Sequence, residues 1–353
     1  MNITYLIGNG FDINIGMNTR YEDFLEYYLR FKSKDMFIQK AKDEIDKDLK
    51  NWADLELALG KYTSQIESQE PDAFFDFYED LHSNLARYLE IEESRYEYNS
   101  LDKNKFLMDL QTPETYLGDT EKPCINALKN TNALKDNNVL NNVVKSNINI
   151  ITFNYTRSLE KLLALPDNKT EIQIDKFWKI TSIEHIHGFT DERMILGVDN
   201  ANQIENETFR RKIDFIDQLV KPNCNQATKG LHPSICNDMI KNSSVVCMFG
   251  LSIGDTDKTW WQRIALWLKG NFNRRLIIFS KSDQDIPRRI IQKKISLERG
   301  VKDLFLSQTK LPDESRKVIK DQILVSINSN MFGIGKLSRK NTSIIDEVAS
   351  AVS

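Results

Sequence analysis

The 353 residues are enough for one large domain or two of medium size. Hydrophobic residues make up 40% and charged residues 28%, a globular balance that excludes disorder throughout, collagen or a coiled-coil rod. Forty-eight Lys plus Arg against 51 Asp plus Glu leave a formal net charge of −3, so nothing global points to nucleic acid or an anionic membrane as a partner.

Residues 3–7 form a short apolar run halted by Gly8-Asn9-Gly10, then Phe11-Asp12. No basic segment precedes the run, which reads as a first buried strand and not as a secretion signal. Tyr21, Phe24, Leu25 and Tyr28 recur at three- and four-residue steps, so a helix is expected from Thr19 or Arg20. Strand, glycine turn and helix together open a nucleotide-binding α/β unit. From 32 to about 100 the pattern is helical, with Pro71-Asp72 as a start and a stripe running from Phe74 to Leu89. Residues 99–147 are polar, with short amphipathic pieces.

Strand patterns return at 148–153, 183–187, 194–198, 245–250, 276–280 and 323–327, separated by helical ones such as 259–269. The expected fold is α/β: a Rossmann-like, mainly parallel sheet with helices on both faces and a large helical insertion after the first βα unit. The core is placed at 1–31 and 148–328, the insertion or cap at 32–147, and a loosely held tail at 329–353. No apolar run approaches the roughly 20 residues that span a bilayer. Cys124, Cys224, Cys236 and Cys247 form neither a zinc-binding pattern nor a disulfide framework. These features suggest a cytoplasmic protein with reduced thiols.

Four segments carry candidate chemistry. Gly8-Asn9-Gly10-Phe11-Asp12 could present backbone amides to a phosphate, or be a tight turn only; Asp12 could hold a ribose hydroxyl or cap the next segment. Asn154, at a strand end, could order a water or a sugar hydroxyl, or close an Asx turn. In His185-Ile186-His187-Gly188 both imidazoles should share one strand face. A His-x-His pair can bind zinc, but His82 and His232 are the only other histidines and no Cys pair is near, so no metal is expected. His187, nearer the strand end and beside a glycine, suits a general base; His185 suits a structural role. In residues 249–257, Gly250 opens the backbone, Ser252 can reach a phosphate or ribose, and Asp255 or Asp257 falls near a helix start, where it could equally answer the helix dipole. Gly250-Leu251-Ser252-Ile253-Gly254 matches a nucleophile elbow. In hydrolases of that fold the histidine follows the serine, and His187 precedes it, so esterase chemistry is set aside.

The chain resembles the bacteriophage abortive infection AbiH family. The likeness rests on residues 5–12 (YLIGNGFD), 19–24 (TRYEDF), 52–56 (WADLE), 153–156 (FNYT), 186–188 (IHG), 195–199 (ILGVD) and 249–257 (FGLSIGDTD). It implies phage defence in which the infected cell is sacrificed or arrested, with a phage-encoded trigger. In motif order the chain is more distantly similar to SIR2-like NAD-consuming defence domains. That likeness implies NAD as substrate, with Asn154 and His187 catalytic. Gly8, Asn9, Gly10, Phe11, Asp12, Gly250, Ser252 and Asp255 would then hold the nucleotide. Phe11-Asp12 and Thr156 depart from that pattern, and the four-cysteine module of deacylases is missing. Two further readings are a nucleotide-binding phage sensor without turnover and a metal-dependent nuclease using Asp255, Asp257 and Asp12 or Asp199. A homo-oligomer is compatible with the sequence; membrane is not expected and nucleic acid is disfavoured.

Overall fold

Strand β1 (Asn2–Ile7) is buried along almost its whole length, as a central parallel strand covered on both faces must be. The computed structural model describes residues 1–66, 71–135, 146–166, 169–287 and 289–340, with the side chains of 131–135 left aside. The remaining strands are β2 (Tyr96–Glu97), β3 (Ser146–Thr152), β4 (Ile172–Gln173), β5 (Trp178–His185), β6 (Val245–Phe249), β7 (Arg275–Ser280), β8 (Ile323–Ile327) and β9 (Ser338–Arg339). Seven form one sheet in the order β4-β5-β3-β1-β6-β7-β8, parallel except for β4 at the edge; β2 pairs with β9 apart from it.

Without β4, the parallel strands read 3-2-1-4-5-6 in order of appearance, the doubly wound arrangement of dinucleotide-binding folds. Direction reverses at β1, which pairs with β3 on one side and β6 on the other. Ligands in such sheets bind beyond the carboxyl ends of the strands at that reversal. The fold therefore selects the loops after β1, β3, β5 and β6.

Each sheet face has its own core. One packs Ile3, Tyr5 and Ile7 against Phe106, Leu110, Ile125 and Phe332. The other packs Leu6, Val246 and Met248 against Trp261, Ile264 and Leu268 from the helix Lys258–Lys269. A third core joins helices Tyr21–Tyr28, Met36–Lys47, Leu55–Tyr62 and Pro71–Ser94 to residues 196–220.

The helical region therefore differs from the single insertion expected over 32–147. Residues up to 89 build the third core, whereas Tyr96, Leu101, Phe106 and Ile125 cover the sheet itself. Residues 67–70 and 136–145 of that region lie outside the described residues. The run 194–198 is not a strand of the sheet; its one bridge joins Val198 to Val220, and Leu196 and Val198 are buried in the third core. The tail expected from 329 is in its first part core. Met331, Phe332 and Ile334 are buried, and Phe332 meets the rings of Tyr5, Phe11 and Phe106 at 6.1, 5.9 and 4.8 Å. Residues 341–353 lie outside the described residues. Among the described residues no helix is long and apolar enough to cross a membrane.

Candidate active site

The loops after β1, β3, β5 and β6 surround a cavity of about 420 Å³, lined from the helical side by Tyr21, Asp54, Glu56, Leu85 and Leu89. Its size falls among small-molecule sites, typically about 300–1,000 Å³. Gly8, Asn9, Asp12, Asn154, His187, Gly250 and Ser252 all line it. Phe11 does not; its ring packs into the core against Phe106 and Phe332. Asp255 does not either, and instead pairs with Lys258 at 2.8 Å.

The two glycine-bearing loops hold each other. Gly10 N–H donates to the Gly250 carbonyl at 2.8 Å, Gly8 N–H to Phe249 at 2.9 Å, and Phe11 N–H to Gly8 at 2.9 Å. A Cβ on Gly10 would stand 2.4 Å from Gly250 Cα, and Gly250 itself has φ +68°. Close backbone approach thus explains both glycines. Three of the amides expected to cradle a phosphate are already donating within the protein. Asn9 is held to Thr19, donating from Nδ2 to its carbonyl and accepting from its hydroxyl.

Asp12 is 1% exposed, and its carboxylate accepts from Thr156 Oγ1 at 2.6 Å and from the Ser158 hydroxyl. Burial raises its pKa to about 6, although both hydroxyls pull it down. The Asn154 amide, outside hydrogen-bonding geometry, adds a weaker pull in the same direction. Asp12 therefore ties the β1 loop to the β3 loop and fixes the segment that carries Asn154.

The main chain of Asn154 is fully engaged: its N–H donates to Thr152 Oγ1 at 3.1 Å and its carbonyl accepts from His185 Nδ1 at 2.9 Å. Its side chain does not form an Asx turn. The residue is 6% exposed, and neither Nδ2 nor Oδ1 has a hydrogen-bond partner among the described residues. An unsatisfied buried polar group costs about 1–3 kcal/mol, so an amide left this way at a cavity is one that a ligand or water completes.

β5 ends at His185, so the expected alternation stops there and the two imidazoles part. His185 faces two acceptors, the Asn154 carbonyl and Glu160 at 2.9 Å, as a structural histidine. Gly188, at φ +75°, turns the chain so closely that a Cβ would meet the Arg193 carbonyl at 2.0 Å. His187 Nε2 lies 3.2 Å from Asp257 Oδ1, and its Nδ1 is buried without a partner among the described residues. Burial, then the Lys221 charge, lowers the His187 pKa, against the pull of Asp257. Burial thus favours the neutral ring, and the carboxylate facing Nε2 favours the tautomer with its proton there and its lone pair on Nδ1.

Behind His187 runs a buried chain of charge. Lys221 Nζ bonds Asp257 Oδ1 at 2.9 Å and Glu56 Oε2 at 2.8 Å. Burial opposes ionisation of Asp257, but Lys221 and then His187 outweigh it and hold the carboxyl well below its usual range. Glu56 is pushed up by burial, with Lys221 offsetting part of the rise. Two carboxylates share one ammonium, and Asp257 is the better served. Sequence reading weighed Asp257 but left Glu56 without a role and missed Lys221, whose neighbours carry no local signal. Asp199 accepts from Thr259 N–H at 2.9 Å, at the start of the tryptophan-rich helix. Among the described residues no group of three or more His, Cys, Asp or Glu is placed to hold a metal ion.

Two strand-end loops thus bring an amide and an imidazole to one cavity, with a carboxylate against the imidazole. No curated protein sequence matches the chain. The family model described as bacteriophage abortive infection AbiH matches residues 4–279, from within β1 to within β7, and so takes in all four loops of the cavity. The chain belongs to the bacteriophage abortive infection AbiH family.

Proposed function

We propose that the chain, in its anti-phage abortive infection role, hydrolyses NAD to nicotinamide and ADP-ribose. The observation that carries this reading is the set of three buried polar atoms, without a partner among the described residues, on side chains lining one cavity: both amide atoms of Asn154 and Nδ1 of His187. In the reaction the bond from ribose C1′ to the pyridinium nitrogen breaks, and its electron pair leaves with neutral nicotinamide. The ribose passes through an oxocarbenium-like state that water attacks at C1′. His187 Nδ1 takes the water proton and Asp257 stabilises the resulting imidazolium. The Asn154 amide orients the water or a ribose hydroxyl. A positioned base contributes about 10²–10⁴-fold. Holding the reactants in place can supply roughly 7–11 kcal/mol of the barrier.

Purified protein, alone and with extract of phage-infected cells, is incubated with NAD and assayed for nicotinamide. Release by the wild type and loss in Asn154→Ala and His187→Ala are expected. NAD bound tightly but never cleaved would identify a sensor. Equal release by both variants would remove the assigned roles.

A further inference from the structure

The charges around the cavity bear on which end of a nucleotide enters it, and the inference drawn from them rests on the NAD reading for the bond that is cleaved. Asp12, Asp54, Glu56 and Asp257 line the cavity, and among the described residues lining it there is no Lys or Arg. Lys221, bonded to this set, is 4% exposed at its side chain, and its ammonium is taken by Glu56 and Asp257. Tyr21, Phe153 and Tyr155 also line the space, so it combines carboxylates with aromatic side chains, a combination that suits an organic cation. Independently, the buried Asn154 amide, with neither polar atom partnered among the described residues, marks the cavity as a ligand site. The phosphate-binding features expected of the glycine turn are weak in the same place, because the amides of Gly8, Gly10 and Phe11 are already donating.

We infer that the cavity takes the cationic N-ribosyl pyridinium end of the substrate, and that the pyrophosphate stays outside it, at the rim where Ser252 is exposed. An anion entering would lose its water among like charges, which disfavours it. A pyridinium gains from the same carboxylates, and so does the oxocarbenium that follows. When C1′–N1 breaks, the electron pair neutralises the ring and the positive charge passes to the ribose. The acidic wall then releases neutral nicotinamide and retains its hold on the reacting carbon. No general acid is required for this leaving group.

The test compares NAD with nicotinic acid adenine dinucleotide, whose ring carries an added carboxylate, using the full-length protein. kcat/KM should favour NAD by about tenfold or more. Calorimetry with His187→Ala, which should not consume substrate, should show nicotinamide riboside binding more tightly than ADP-ribose. Asp54→Asn keeps an acceptor for the Leu57 N–H and should narrow the dinucleotide preference by about 2–3-fold, since Asp54 is exposed to screening solvent. Equal turnover of the two dinucleotides, or tighter binding of ADP-ribose than of the riboside, would overturn the inference while leaving NAD hydrolysis in place. Cleavage of neither dinucleotide, with the riboside still preferred over ADP-ribose, would remove the hydrolysis and uphold the charge selection.

Discussion

Asp257 Oδ1 accepts from His187 Nε2 at 3.2 Å, joining the loop after β6 to the loop after β5 and leaving Nδ1 as the basic nitrogen. In Asp257→Asn the carboxamide can offer an N–H in place of an acceptor and so favours the opposite tautomer. NAD cleavage should fall by about 10²-fold or more, in kcat and not in KM. Nitrogen-15 chemical shifts of the His187 ring should show the proton moving from Nε2 to Nδ1. Unchanged ring shifts together with unchanged kcat would dismiss Asp257 as the orienting group.

Lys221 pairs with two buried carboxyl groups at once, and removing one partner of such a set costs far more than the set contributes. Lys221→Met should lower unfolding free energy by about 3–5 kcal/mol in urea titration. Adding Glu56→Gln should restore a large part of the loss, because Asp257 then keeps His187 and Glu56 no longer carries charge. Additive losses in the double variant would refute the shared-ammonium description.

Asp12 has a pH consequence of definite sign. Its carboxyl titrates near 3.8 when unfolded and near 6 when folded, so between these values the folded chain holds a proton that the unfolded chain has lost. Its contribution to stability therefore declines as pH rises from about 4 to about 6 and is level above, a penalty on the order of 3 kcal/mol. The stability difference between wild type and Asp12→Asn, followed by urea unfolding from pH 4 to 8, should swing in that window in favour of the variant. Burial, with the Lys221 charge, lowers His187 below its ordinary 6.5. A histidine-controlled acid limb of kcat/KM should therefore lie below pH 6.5.

Gly10→Ala and Gly254→Ala separate packing from loop flexibility. A Cβ on Gly10 meets backbone of the Gly250 loop at 2.4 Å, whereas one on Gly254 finds nothing nearer than Ser252 Oγ at 3.8 Å, at an ordinary φ of −90°. The first should cost about 1–3 kcal/mol and abolish activity by parting the two loops; the second should stay within about 0.5 kcal/mol of wild type. Thermal melting and nicotinamide release measure both.

Local signals in the sequence located the strands and their tips. Ile323–Ile327 and the runs that became β1, β6 and β7 are short, branched and bounded by turn residues, and buried parallel strands need little else. Asn154 and His187 were legible because each follows such a run. Glu56 and Lys221 were not, since their meaning lies in a bond spanning 165 residues. Residues 194–198 read as a strand because Met194-Ile195-Leu196 is apolar, but they wall the helical core instead of joining the ladder. Phe332 was hidden for the opposite reason: polar neighbours masked three side chains that complete the sheet's first face. The Gly8–Gly10 spacing signalled a close approach correctly as geometry, yet spacing cannot tell whether the thing approached is a phosphate or the backbone at Gly250.

The bonds that define the site reach across 70, 144 and 165 residues, from 187 to 257, 12 to 156 and 56 to 221. A polypeptide translated only as far as residue 200 holds the amide and the imidazole but neither Lys221 nor Asp257. Polypeptides that stop there hold the imidazole without the carboxylate that faces it. The arrangement on which the proposed chemistry depends is therefore complete only in polypeptides translated through residue 257.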